Sequence, residues 1–329
     1  MRILIVRLRA LGDVLLTTPA VEAVRRAYPD AELEWVADDL IAPVLEGNPA
    51  IDRIHAYPRS RFRRISAARR AVEDLGFTLR VARRAYDLVI DFHGNPRAAW
   101  LTFLTGAPRR IGYARVRIRS AAYTNKVGAG EFAGKQSTYQ HLALARAAGA
   151  PTPDAPRPRI YLREDERAAA RAKLGPLAQR PFLAIHPGAS HEGKRWPPER
   201  FIELARWARD HLDLPTLVLY DPASRGTSRT IAEGAGATFI QDSGVRELAA
   251  LTAGAAVYCG NDSGPMHVAA AVGVPVLAIF GPTLVESWRP LVDRRRIVTP
   301  PSAGGPASEV PFEKVAGALE ELCAEVGQV

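Results

Sequence analysis

Cysteine is nearly missing from this chain. Cys259 and Cys323 are the only two in 329 residues, too few for a disulfide framework and too far apart for a zinc site, which fits a reducing compartment. Long apolar runs are missing as well. No stretch reaches the ~18 consecutive apolar residues that a membrane-spanning helix needs, so any membrane contact is expected to be peripheral. The opening Met1-Arg2-Ile3-Leu4-Ile5-Val6-Arg7 has no extended apolar region and no small-residue cleavage site after it, so no export signal is expected. Neither G-x-G-x-x-G nor G-x-x-x-x-G-K-[ST] is present, which leaves hydride transfer and NTP hydrolysis unsupported. There is no zinc-finger spacing, no aromatic RNP-like run and no helix-turn-helix, and nucleic acid is not an expected partner. His93, His186 and His191 do not form a ligand spacing and no Asp-x-Asp pair occurs, so neither a metal site nor a cofactor is expected.

What is present describes a globular protein. Hydrophobic residues make up 47% and charged residues 24%, enough core for two domains of roughly 150 residues each. The net charge of +9 is concentrated in one segment: residues 59–126 hold fifteen arginines and Lys126 against Glu73, Asp74, Asp87 and Asp91. Such a field draws anionic partners, unless it is only a solvated face.

Short apolar strands alternate with amphipathic helices, the pattern of a parallel sheet covered on both faces, and the pattern occurs twice. In the first half, strands are expected over residues 2–8, 31–37, 53–57 and 86–92, a short helix over 41–45, and longer helices over 13–27 and 64–85, with another reaching about 104. Residues 150–158 contain four prolines, which forbid a packed helix or central strand and mark a linker. The second half repeats the alternation, with strands over 182–186, 216–220, 255–259 and 274–280. Its helices are expected over 164–174, 198–211, 245–253 and 264–272. The domains are thus 1–158 and 159–329, with a terminal helix over 313–326 free to pack back on the first. Two doubly wound halves put a ligand cleft between them and function on the strand-to-helix loops.

Those loops carry Gly12-Asp13, His93-Gly94-Asn95, the stretch from His186-Pro187-Gly188-Ala189-Ser190 to Lys194-Arg195-Trp196-Pro197, and Asn261-Asp262-Ser263-Gly264-Pro265-Met266-His267. In the last of these, Ser263 reads as an N-cap, Gly264 allows close backbone approach and Pro265 opens the helix. The loop is either a well-capped helix or a seat for phosphate, with Lys194 as the matching cation. Asp13 reads either as a helix cap or as a base for an acceptor hydroxyl.

Taken together, three stretches in register resemble glycosyltransferase family 9, the ADP-heptose:lipopolysaccharide heptosyltransferases. They are Arg9-Ala10-Leu11-Gly12-Asp13-Val14-Leu15-Leu16-Thr17-Thr18-Pro19-Ala20, the Ser190 to Pro197 region, and Asn261 to His267 followed by Gly273-Val274-Pro275-Val276 and Phe280-Gly281-Pro282-Thr283. The resemblance implies an α/β protein of the GT-B type, with two facing Rossmann-like domains, the acceptor on the first and the nucleotide-sugar on the second. It implies Asp13 as general base in a single inverting, metal-independent displacement. The donor diphosphate falls to Ser190, Lys194, Asp262, Ser263, Gly264 and His267. An anionic glycolipid acceptor at the cytoplasmic face of the inner membrane gives the basic segment a use, for which Arg61, Arg63 and Arg64 are the candidates. The chain departs from the family pattern at Tyr220-Asp221-Pro222-Ala223-Ser224-Arg225, where a glycine-containing turn and a ribose-holding glutamate are expected. Asp221 is the nearest carboxylate. The departure leaves room for another nucleotide-sugar, with a glycolipid, capsule or protein acceptor, or for a sugar-nucleotide epimerase.

Overall fold

The computed structural model describes residues 1–114, 117–128, 130, 134–240 and 244–327. It divides into two compact units, Met1–Tyr161 and Leu162–Val329. The first holds strands β1 (Arg2–Val6), β2 (Glu32–Asp38), β3 (Arg53–Tyr57), β4 (Leu88–Asp91), β5 (Arg109–Tyr113) and β6 (Asn125–Val127). They form a six-stranded sheet in the order β3-β2-β1-β4-β5-β6, every pair parallel.

The second unit holds β7 (Leu183–His186), β8 (Thr216–Val218), β9 (Thr238–Phe239), β10 (Val257–Asn261), β11 (Val276–Ile279) and β12 (Arg295–Val298). Its order is β12-β11-β10-β7-β8-β9, again all parallel. Counted from its own first strand, this is the same winding as in the first unit. In both, the chain reverses its direction of travel across the sheet beside the first strand. Ligands of doubly wound sheets bind at that switch point, outside the carboxyl ends of the strands. The corners are β1/β4 and β7/β10.

The central strands are buried on both faces, which is why they read as continuous apolar runs. Leu183, Ile185, Val257, Cys259, Leu277 and Ile279 line one face of the second sheet, and Ala184, Tyr258, Val276 and Ala278 line the other, the period of two that strands impose. The terminal helix Phe312–Glu325 lays Val315, Leu319, Leu322 and Cys323 on the first of those faces, and packs against β10, β11, β12 and the helix Pro198–Leu212.

Local chemistry moves several boundaries. The proline-rich connection is irregular, and past it Arg159 N–H donates to Thr18 Oγ1 at 3.3 Å and Tyr161 Oη to Glu22 Oε1 at 3.2 Å, so the chain leaves the first unit only after Tyr161. The helix expected over 64–85 is shorter, Ala67–Ala82, because Ser66 starts it by accepting the Arg69 N–H at 3.4 Å, and a separate short helix, Arg59–Phe62, precedes it. No helix is long and apolar enough to cross a membrane among the described residues.

Candidate active site

At the β1/β4 corner the loop after β1 is pinned from both neighbours. Leu8 N–H donates to His93 Nδ1 at 3.3 Å, and the Leu8 carbonyl accepts Asp38 N–H at 2.9 Å. Trp35 Nε1 donates to the Arg7 carbonyl at 3.1 Å, and Arg7 Nη1 to the Phe92 carbonyl at 2.6 Å. The second amino group, Arg7 Nη2, lies 2.5 Å from Asp13 Oδ1, with both side chains mostly buried.

Asp13 is not the N-cap. The helix begins at Leu11 and Ala10 occupies the cap position, so Asp13 stands at the third helical residue. From there Oδ2 reaches back to accept the Ala10 N–H at 3.3 Å, the carboxylate half of a capping box. The carboxylate therefore has one oxygen tightly held by a cation and the other only loosely engaged.

His93 is fixed by a second network. Asp91, fully buried, accepts His93 N–H and Gly94 N–H at 2.8 Å each through Oδ1 and Tyr123 Oη at 2.7 Å through Oδ2. Burial pushes the Asp91 carboxyl up against these hydrogen bonds. Tyr123 fits there because residue 112 is glycine, where a Cβ would come within 2.4 Å of the ring. His93 is pushed down to about 3 by burial and by the charges of Arg7, Arg9 and Arg59, so it is neutral with Nδ1 as acceptor. The sequence placed His93 on a candidate loop without giving it a role, and did not single out Arg7 or Arg59. An arginine closing an otherwise apolar strand, six residues before an aspartate on the next helix, was the available signal.

Of the three arginines expected at the acceptor, Arg61 is tied to Glu73 at 2.8 Å, while Arg63 and Arg64 are exposed. Arg59 instead turns inward to Asp38 at 3.2 Å, beside the pinned loop.

At the β7/β10 corner, Lys194 Nζ lies 2.7 Å from Asp262 Oδ2, the carboxylate almost buried. Lys194 ends a single 3-10 turn, Glu192–Lys194. That turn is locked to the strands by its neighbours: Trp196 N–H donates to Asn261 Oδ1 at 3.1 Å and Asn261 Nδ2 to the Pro187 carbonyl at 2.7 Å. Gly281 lets the turn close down, since a Cβ there would sit 2.3 Å from the Gly193 carbonyl oxygen and 2.9 Å from Ala307 N.

Beyond Asp262 the helix Gly264–Ala271 begins, with Ser263 at its N-cap but making no side-chain cap hydrogen bond. Gly264, not Pro265, is the first helical residue; Pro265 is the second. The Ser263 hydroxyl thus leaves first-turn amides uncapped at the positive end of the helix dipole, the arrangement that binds phosphate. His267 lies buried in the first helical turn, and Ser190 is exposed on the loop after β7. The structure thus brings Lys194, Asp262, Ser263 and Gly264 to one corner.

Asp221 is differently engaged. Its Oδ1 accepts Ala223 N–H at 2.9 Å and Ser224 N–H at 2.8 Å, an Asx turn ahead of the helix Arg225–Ala235. Its Oδ2 lies 3.7 Å from Nε2 of His186, too far for a hydrogen bond. His186 Nδ1 accepts Gly188 N–H at 3.2 Å, which puts the ring proton on Nε2, toward Asp221. Gly188 permits this packing; a Cβ would meet His186 Cε1 at 2.7 Å.

Complete burial pushes His186 down to about 4, with Asp221 opposing. A histidine whose folded value is depressed stabilises the fold fully above its unfolded value of about 6.5 and progressively less as pH falls toward 4. Across that window the fold should lose stability as pH falls, because the unfolded chain takes up the proton that buried His186 does not. The pH dependence of the thermal midpoint should accordingly flatten in His186→Asn, whose Oδ1 can still accept the Gly188 N–H. Parallel profiles for the two proteins would refute this.

The comparisons with known proteins bear on this pair of corners. The model of glycosyltransferase family 9 (heptosyltransferase) matches residues 76–309. The chain is 30% identical over 291 residues to lipopolysaccharide heptosyltransferase 1 of Pseudomonas aeruginosa, covering 86% of this chain and 79% of that protein. Among solved structures, a family 9 glycosyltransferase from Veillonella parvula superposes with a TM-score of 0.87 at 24% identity, covering 98% and 97% of the two chains. The Escherichia coli heptosyltransferase WaaC, solved with ADP, superposes at 0.82 and 24% identity over 98% and 100%. The two parallel six-stranded sheets are therefore those of the heptosyltransferase fold, the two Rossmann-like units of the GT-B type that the family resemblance implied.

Proposed function

Since the chain belongs to glycosyltransferase family 9, it is a glycosyltransferase, and we propose that it moves a heptose from ADP-heptose to the inner core of lipopolysaccharide by an inverting displacement that needs no metal. The observation that carries the reading is the pair of corners: a carboxylate held by a buried arginine at one switch point, and a lysine beside an uncapped helix at the other. The relative from Pseudomonas aeruginosa is a lipopolysaccharide heptosyltransferase, which supports both substrates.

In the proposed reaction the first unit binds the acceptor and the second the donor. The loosely held Asp13 Oδ2 takes the proton of the acceptor hydroxyl while that oxygen attacks the anomeric carbon. The bond from that carbon to the diphosphate oxygen breaks with inversion, and ADP departs carrying the electron pair. Lys194 and the first amides of the helix Gly264–Ala271 meet the charge that grows on the diphosphate. Asp262 aims Lys194, while Ser190 and His267 complete the seat. Oδ2 of Asp221, left over from the Asx turn, takes a ribose hydroxyl. The arginines of the basic segment, Arg61, Arg63 and Arg64 among them, receive the anionic glycolipid at the cytoplasmic face of the inner membrane.

A thermal-shift titration with ADP, UDP, GDP and CDP in the presence of EDTA tests the donor side. ADP should raise the midpoint most, by about 2.7 kcal/mol of stabilisation at a hundredfold excess over Kd. Preference for another nucleotide would discard ADP-heptose as donor, and transfer that EDTA abolishes would discard the metal-free displacement.

A further inference from the structure

Eight large hydrophobic side chains are left exposed among the described residues, and five of them, Val72, Leu75, Trp100, Phe103 and Ile118, lie on three neighbouring helices of the first unit. These are Ala67–Ala82, Pro96–Leu104 and Arg117–Ser120, the middle one in contact with both others. Its two flanks are accounted for. Arg97 binds Asp74 and reaches Thr78 on the first helix, and Ala99 packs with Ala122 and Tyr123 on the opposite side. Ala98 and Leu101 face the core. That leaves Trp100 and Phe103, three residues apart, on the outward face, where their rings stack at 6.2 Å with 22° between planes and each is more than half exposed. An aromatic pair flanked by exposed aliphatic groups on both sides is unusual for a surface with no partner.

The surroundings indicate the partner. Arg70 and Arg80 are exposed on the first helix and Arg83 at its C-cap, with Arg63 and Arg64 just before it, inside the segment that holds fifteen arginines and one lysine against four acids. A surface of tryptophan, phenylalanine and aliphatic side chains within a field of arginine matches an anionic bilayer interface, where the rings enter the headgroup region and the guanidinium groups meet lipid phosphates. An acidic protein would satisfy the arginines but has no need of the stacked rings.

We propose that the Trp100–Phe103 face, flanked by Val72, Leu75 and Ile118, inserts shallowly into an anionic phospholipid membrane and holds the first unit at the surface. The inference rests on the reading of a lipid-anchored acceptor, and it places the membrane on these helices. Helix Pro96–Leu104 begins at the Asn95 cap, directly after the His93-Gly94 turn that pins the Asp13 loop, so the inserting face and the catalytic corner share one rigid element.

The test is cosedimentation with phosphatidylcholine vesicles, with and without phosphatidylglycerol. The protein should bind the vesicles that contain phosphatidylglycerol, and the Trp100→Ser/Phe103→Ser variant should bind about tenfold or more weakly, since burying one such ring is worth more than the 1.4 kcal/mol of a tenfold change. Brominated lipid should quench the emission of the unmodified protein more than that of Trp100→Phe. No binding to anionic vesicles, equal binding by the variant, or equal quenching in Trp100→Phe would each overturn the proposal. So would light scattering that finds a dimer which the double variant abolishes, because the face would then belong to a second copy of the chain. The midpoint shift with ADP is measured in the same variants. Its retention shows an intact donor site, so loss of vesicle binding is read apart from any failure of the transferase reading.

Discussion

Asp13→Asn is expected to lower kcat by about 10²–10⁴-fold, the usual contribution of a positioned general base, while the midpoint shift produced by ADP stays as it is in the unmodified protein. Asparagine is the informative replacement because the side chain keeps its shape and can turn its one oxygen to Arg7, leaving the loosely bound, exposed Ala10 N–H to water, while it can no longer take a proton. Alanine would confound the measurement. Arg7 is largely buried against Asp13, and removing its partner altogether leaves a guanidinium with only the Phe92 carbonyl to answer it. A buried group stripped of its partner costs about 1–3 kcal/mol, which would appear as lost folding and not as lost chemistry. Retention of turnover in a well-folded Asp13→Asn protein would reduce the carboxylate to its helix-start role.

Lys194→Met is expected to reduce kcat/KM by about 10²–10³-fold, the scale of one preorganised group facing developing charge, and to weaken ADP binding in parallel. It should also lose stability, since Asp262 is then left nearly buried without its cation. The two effects can be parted with Lys194→Met/Asp262→Asn, where both charges are gone. Replacing a buried pair by neutral groups is often close to neutral for stability. The double variant should therefore regain much of the lost midpoint but none of the turnover. Recovery of turnover along with stability would show that Lys194 serves the fold and that the diphosphate is held by other groups.

The sequence made the central strands legible because each is buried on both faces and reads as a short apolar run between turn residues. β1, β2, β4, β7, β10 and β11 were all found this way, within a few residues. The outer strands β5, β6, β9 and β12 were not. Arg109-Arg110 opens β5 and Arg295-Arg296 opens β12, and a strand near a sheet edge that carries charge has no apolar run to betray it. β9 is two residues long.

At the site, Asp13, Lys194 and the Asp262 to Gly264 turn were visible from their residue types and positions after strands. Arg7 was not, nor were the roles of His93 and His186, because the contacts that place such groups span the sheet: Arg7 to Phe92 and Leu8 to His93 each cross 85 positions. Asp221 shows the converse. Its place in the chain suggested a ligand, whereas one of its oxygens already organises the turn it stands in.

The common winding of the two sheets has a consequence for how such proteins diversify. Each unit closes its own core and sets its chemistry at its own reversal point, with the chain crossing once, between Tyr161 and Leu162. If, as proposed, the first unit takes the acceptor and the second the donor, selection on the sugar that receives and selection on the nucleotide that gives act on separate folding problems. A chimaera joined at that crossing, with the first unit of one relative and the second of another, inherits each preference from a different parent.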